Sequence, residues 1–221
     1  MVRAENTIEA FRAAAALGAD AVELDVRRSA DDVLVVIHDA ALPGWNRPIV
    51  EMTRSQIESA APHVPDLDAA LQACAGMWMD IEIKNAPFEP DWDPESVTTS
   101  RVAQLVRSMG LDSRTLLTSF DPGAVAAAVG EGLRAGLLVA RSVDPVDALG
   151  AVAGIEMVLP SVSAMSGDTA SMVVRAASTR GIEVGVWTVN DAAEMRRLAD
   201  AGVGAICTDD PKLGVRVLAS A

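Results

Sequence analysis

Tyrosine is absent from this 221-residue chain, and aromatic residues make up only 3% of it. A platform that stacks single-stranded bases needs exposed rings, so that kind of nucleic-acid binding is excluded. Positive charge is also scarce: 18 Lys and Arg face 31 Asp and Glu, a formal net charge of −13. That balance argues against nucleic acid and against anionic membrane surfaces as partners. An anionic substrate would therefore need a local positive centre. Cysteine is nearly missing too. Cys74 and Cys207 lie far apart, show no metal-ligand spacing and sit in apolar contexts, as expected of buried thiols and not of a disulfide. No apolar run is long enough to span a bilayer. The segment Met1-Val2-Arg3-Ala4-Glu5-Asn6 leads into an amphipathic stretch without the apolar centre of a signal peptide. A soluble, cytoplasmic protein is the expectation.

What is present is half hydrophobic, with Gly and Pro scattered along the chain. This suits a packed protein, and the length suits one large α/β domain over 1–221. Helix starts are marked by Asn6 with Glu9, read as a capping box, and by Asp-Pro pairs at Asp93-Pro94, Asp121-Pro122, Asp144-Pro145 and Asp210-Pro211. Asp66, Asp168 and Asp191 are further candidate caps. Helices are expected over 7–17, 66–75, 94–109, 122–130, 145–153, 168–180, 191–201 and 211–220. Between them lie apolar runs at 21–26, 78–84, 115–120, 135–140, 155–160, 183–189 and 204–208. Several are continuously apolar, as in parallel strands covered on both faces. Val33–His38 follows 21–26 so closely that a hairpin is expected. Residues 40–65, with five prolines and glycines, read as a loop excursion carrying a short helix near 54–60.

Alternating strands and helices predict a parallel sheet. The chain opens on a helix, with eight helices and seven core strands, and nothing in Met1–Glu5 supplies another strand. No Gly-rich phosphate loop supports a doubly wound nucleotide-binding sheet. The expected fold is a TIM (β/α)8 barrel that lacks its first strand.

Two strands carry the chemistry. In Ala21-Val22-Glu23-Leu24-Asp25-Val26 and Met79-Asp80-Ile81-Glu82-Ile83-Lys84, residues two apart leave the same face. Glu23 and Asp25 thus project side by side, as do Glu82 and Lys84. Three carboxylates on neighbouring strands suit a hard divalent cation, and a lysine beside them suits a phosphate. The solvent faces of half-buried strands give the same alternation. Asp80 lies on the Glu82 face or at the strand's entry, and it is left outside the expected site. His38, at the end of the hairpin, adds an imidazole, the side-chain type whose unperturbed pKa lies nearest neutrality.

In this combination the chain resembles the glycerophosphodiester phosphodiesterases. The matching segments are Glu5-Asn6-Thr7 with Ala10-Phe11; Gly18-Ala19-Asp20 through Glu23-Leu24-Asp25-Val26; and Val35-Val36-Ile37-His38-Asp39. They continue through Val64-Pro65-Asp66-Leu67, Ile81-Glu82-Ile83-Lys84, Ser119-Phe120, Val186-Trp187-Thr188-Val189-Asn190 and Thr208-Asp209-Asp210-Pro211. The resemblance implies a TIM-barrel enzyme that hydrolyses glycerophosphodiesters to sn-glycerol 3-phosphate and an alcohol. It implies Glu23, Asp25 and Glu82 as ligands of Mg²⁺ or Ca²⁺, His38 as an acid–base histidine and Lys84 as a phosphate contact. Trp187 is read as a barrel-lining residue near the strand's C-terminal end, either packing in the core or touching the glycerol moiety.

The resemblance also shows a departure. The family opens on a strand ending in His-Arg-Gly, whereas only Met1-Val2-Arg3-Ala4 precede Glu5 here. That strand, with one histidine and an arginine, is expected to be missing; Arg3 is not given the role, and His63 is expected at the surface. The expected partner is a small phosphodiester, without nucleic acid or a membrane span. A homo-oligomer that covers the open sheet edge is the conjectured assembly. The alternative to an enzyme is a non-catalytic relative that binds a glycerophosphodiester or glycerol phosphate.

Overall fold

The computed structural model describes residues 4–219; residues 1–3 and 220–221 lie outside it. The reading of Met1–Arg3 as neither strand nor signal segment, and the expected helix end at 220, therefore fall outside the described residues. Seven strands run parallel: β1 (Ala21–Arg28), β3 (Trp78–Ile83), β4 (Thr115–Ser119), β5 (Arg134–Val139), β6 (Met157–Pro160), β7 (Glu183–Val186) and β8 (Ala205–Ile206). β2 (Leu34–Val36) folds back antiparallel on the end of β1, pairing Val26 with Val36 and Arg28 with Leu34. The sheet order is β2-β1-β3-β4-β5-β6-β7-β8. Among the described residues β1 and β8 do not pair, so the first half of β1, opposite β3, has a strand on one side only. Among the described residues this is the eight-fold barrel short of one strand.

The helices are α1 (Ile8–Ala16), α2 (Arg54–Ala60), α3 (Leu67–Ala73), α4 (Val97–Ser108), α5 (Pro122–Gly130), α6 (Pro145–Ala148), α7 (Thr169–Ser178), α8 (Ala192–Asp200) and α9 (Pro211–Leu218). Asp121, Asp144, Asp191 and Asp210 each accept backbone N–H bonds in the first turn of the helix they open. Two expected starts are corrected. The cap of α1 is Thr7, which accepts from the Ala10 N–H, while Asn6 turns away to Asp25. The helix expected from Pro94 begins at Val97, because the Asp93 carboxylate accepts from the Thr98 N–H and Oγ1 instead of capping at Pro94. Asp66 and Asp168 stand at the caps of α3 and α7 without a side-chain cap bond. Gly18, at φ 84°, ends α1 in a conformation that side chains avoid.

Packing follows the same sequence logic. Leu24, Val26, Ile81, Ile83, Leu117, Leu137, Val158 and Val186 lie buried in one core with the inward faces of the helices. Leu159 of β6 needs bare neighbours: a Cβ on Gly136 of β5 would meet its Cδ1 at 2.8 Å, and one on Gly185 of β7 its Cδ2 at 3.2 Å. The excursion has a small core of its own. Leu42, Ile49, Met52, Ile57, Ala61 and Val64 pack on Val35 of β2. Thr53 and Gln56 form a reciprocal capping box at the start of α2 that the sequence reading did not single out.

Candidate active site

The site is laid out by strand register. In the parallel pair β1–β3, Glu23 lies opposite Asp80 and Asp25 opposite Glu82. Side chains two apart share a face and neighbouring strands lie about 4.8 Å apart, so four carboxylates form a square patch. Asp25 and Glu82 are buried, which rules out the solvent-face explanation for the alternation. One carboxylate oxygen from each of Glu23, Asp25 and Glu82 lies within 4.8 Å of the others. That donor set, all hard oxygen, fits Mg²⁺ or Ca²⁺.

Lys84 stands over the patch. Its Nζ is 2.8 Å from Asp25 Oδ1 and 2.7 Å from Glu82 Oε1. Burial would lower its pKa, but the two carboxylates outweigh burial and hold it above the usual lysine value. Glu23 and Glu82 move the other way. Burial lifts both, their carboxylate neighbours push in the same direction, and Lys84 offsets only part. Glu23 is nonetheless exposed, on the half of β1 with one neighbouring strand, so solvent tempers the size of its shift and leaves the direction. Crowded carboxylates that resist ionising together are what a divalent cation relieves.

Two residues belong to this patch that the sequence reading did not place in it. Asn6 donates through Nδ2 to Asp25 Oδ2 at 2.6 Å and accepts the Asp25 N–H at 3.1 Å, fixing that carboxylate from the side without a strand. Asp80 accepts from Thr118 Oγ1 at 2.6 Å, and burial with nearby Glu82 and Asp25 pushes it up to about 7. The i, i+2 spacing to Glu82 had signalled Asp80; nothing local signalled Asn6.

His38 ends the hairpin beside the patch. Its imidazole is 57% exposed, Nδ1 lies 2.8 Å from Asp39 Oδ1, and it stands close enough to Glu82 to favour that carboxylate's ionised form when protonated. Trp187 follows β7, half-buried; its Nε1–H donates to Leu159 O at 2.7 Å, and Phe120 meets it edge-on with centroids 5.4 Å apart. The indole nitrogen is thus spent on the barrel wall, and only the ring face and edge remain for a ligand. His63 is exposed within the excursion. Both cysteines are free. No helix among the described residues is long and apolar enough to cross a membrane.

Comparison with known proteins agrees with this fold. A glycerophosphodiester phosphodiesterase of Caldanaerobacter subterraneus subsp. tengcongensis is 26% identical over 94% of this chain and 89% of its own. The crystal structure of the glycerophosphodiester phosphodiesterase of Thermotoga maritima superposes with a TM-score of 0.81 at 25% identity, covering 97% of this chain and 92% of that one. A phosphodiesterase of Oleispira antarctica, solved with the product sn-glycerol-3-phosphate, shares the fold at 19% identity and a TM-score of 0.80, over 97% and 91% of the two chains. Residues 1–213 match the model of the glycerophosphoryl diester phosphodiesterase family, and with that match the chain belongs to this family.

Proposed function

We propose that this chain hydrolyses glycerophosphodiesters to sn-glycerol 3-phosphate and an alcohol, as a metal-dependent phosphoric diester hydrolase built on a single barrel domain with residues 40–65 as an excursion. The observation that carries the reading is the patch of Glu23, Asp25 and Glu82 with Lys84 across it. Four charged groups are held together in a mostly buried site on a strongly acidic protein, an arrangement that costs stability unless ligands use it.

Glu23, Asp25 and Glu82 would hold Mg²⁺ or Ca²⁺, which supplies Lewis-acid polarisation of a phosphoryl oxygen. Asn6 locks the Asp25 carboxylate in its binding orientation. Lys84 would offer its ammonium to the phosphate, a local positive centre for an anionic diester on a chain of net charge −13. His38 moves the protons: it accepts from the glycerol hydroxyl that attacks phosphorus and returns a proton to the leaving alcohol, then accepts from the water that opens the cyclic phosphate and returns a proton to the freed glycerol oxygen. The Trp187 face, buttressed by Phe120, borders the glycerol end of the substrate. The two unpaired thiols suit a reducing compartment, which we take to be the cytoplasm.

A second reading, binding without turnover, is favoured by one observation: His38 is the sole imidazole that acts on the patch, while the other, His63, is exposed in the excursion. Enzymatic detection of sn-glycerol 3-phosphate from glycerophosphocholine separates the two. Release by the parent that is lost in Glu82→Gln supports hydrolysis. Calorimetric binding of glycerol phosphate with no release supports the binder.

A further inference from the structure

Arg27 lies two residues beyond Asp25 on β1, and its side chain is only 1% exposed. A buried guanidinium at the mouth of a phosphodiesterase site looks like a phosphate ligand, but its hydrogen bonds exclude that. Nε and Nη2 donate to His38 O at 2.9 and 2.7 Å. Nη1 donates to Glu89 Oε2 at 3.1 Å and Asp91 Oδ2 at 2.6 Å, and Nη2 also donates to Glu89 Oε1 at 3.0 Å. Guanidinium has five N–H donors, and these bonds use every one. None is left for a substrate.

The same bonds join three pieces of chain. β1 supplies Arg27, the hairpin end supplies the His38 carbonyl, and the segment after β3 supplies Glu89 and Asp91. That segment is itself closed by Asn85, which accepts the Asp93 N–H at 2.7 Å and donates to Asp93 O at 3.1 Å. The His38 imidazole, by contrast, is exposed, and its one hydrogen-bonded side-chain partner among the described residues is the exposed Asp39 carboxylate next to it. What holds this residue in register with the carboxylate patch is its main chain, gripped by the Arg27 fork and by the bond from Ile37 N–H to Asp25 O at 2.9 Å. A buried ion cluster of this kind contributes little net stability compared with apolar packing of the same volume, so its rigid planar geometry is the more telling property.

We propose that Arg27 is a positioning residue: by clamping the His38 carbonyl to the Glu89–Asp91 segment, it sets where the His38 imidazole stands relative to the bound phosphodiester. The inference rests on the proton-transfer role given to His38 above. Misplacing a proton-transfer group by about 1 Å costs on the order of 10²-fold in rate, while substrate affinity, set by the carboxylates and Lys84, is left alone.

The test uses the full chain with glycerophosphocholine and saturating Mg²⁺, in Arg27→Gln, Arg27→Lys, His38→Ala and Arg27→Gln/His38→Ala, each assayed well below its own melting temperature. Arg27→Gln is expected to lower kcat about 10- to 100-fold, with KM and calorimetric Mg²⁺ affinity within about threefold. Arg27→Lys should recover melting temperature but not kcat, because one ammonium cannot span the carbonyl and both carboxylates. In the His38→Ala background, Arg27→Gln should cost nothing more. An effect of the same size in that background, a folded Arg27→Gln or Arg27→Lys enzyme with parental kcat, or failure of both to fold would overturn the proposal. Full activity of His38→Ala would sink the role of His38 instead. A second readout does not depend on turnover: the chain has only two histidines, so imidazole NMR resolves them. The His38 ring signals should shift and broaden in Arg27→Gln while those of His63 stay fixed; an unchanged His38 signal would contradict the clamp.

Discussion

The Lys84 ammonium lies 2.7 Å from Glu82 Oε1, two positions back along the same face of the chain, and the same nitrogen reaches Asp25 across the strand pair. The lysine is thereby the internal counter-ion of a carboxylate patch that would otherwise carry unrelieved charge. Lys84→Met should leave Asp25 and Glu82 facing each other unneutralised. Stranding buried charge in this way costs about 3–5 kcal/mol, so the melting temperature in chelator should fall by roughly 10 °C. Saturating Mg²⁺ should return much of the loss, while KM for the diester stays raised. Thermal melting of the variant with and without chelator checks this; an unchanged melting temperature in chelator would show that the ion pairs are dispensable.

Cation binding should itself be visible as stability. Ligand at about 100-fold over its dissociation constant stabilises a fold by about 2.7 kcal/mol. Mg²⁺ or Ca²⁺ is therefore expected to raise the parent's melting temperature by several degrees, and Glu23→Gln with Asp25→Asn should abolish the rise. An equal rise in the double variant would place the cation elsewhere.

Asp80 gives a pH signature. Its carboxyl is pushed up to about 7 by burial and by Glu82 and Asp25, so between about pH 4 and 7 the folded state keeps a proton that the unfolded chain has released. Stability must then fall as pH rises through that window and stay reduced above it. Asp80→Asn removes this contribution. Parent and variant should melt alike near pH 4, and the variant should melt about 2–8 °C higher at pH 8 in chelator. Glu23 and Glu82, also raised, keep part of the slope in both proteins. A variant that melts lower than the parent at pH 8 would mean that the fold does not raise the Asp80 carboxyl above its ordinary value.

His38 should carry turnover. Removing a proton-transfer group costs about 10²–10⁴-fold, so His38→Ala is expected to lose at least that lower bound in kcat while its Mg²⁺-dependent melting shift persists. Steady-state kinetics on glycerophosphocholine decide the matter, and a parental rate would remove the histidine from the chemistry.

The parts of this architecture legible in the sequence are those whose signal is local. Short apolar runs marked all seven parallel strands, several of them continuously apolar because strands covered on both faces admit few polar residues. The i, i+2 pairs marked Glu23, Asp25, Glu82 and Lys84, which the parallel register then brings together. What escaped depends on distant partners. Asn6 reads locally as a helix cap, and only the fold brings it to Asp25, 19 residues on. Arg27 shares the face of Asp25, yet Glu89 and Asp91 lie 62 and 64 residues away, and an arginine near a strand end gives no hint of them. Pro94 misled because its aspartate caps Thr98 instead.

The account stands or falls on whether the carboxylate patch, with its cation, cleaves a glycerophosphodiester. The direct measurement is phosphorus NMR of glycerophosphocholine incubated with the chain in Mg²⁺, in chelator, and with Glu23→Gln/Asp25→Asn in Mg²⁺. The diester resonance should be replaced by that of glycerol phosphate in the first sample alone. A diester that persists in Mg²⁺ with folded parent would contradict hydrolysis, and conversion that proceeds unchanged in chelator or in the double variant would contradict the site.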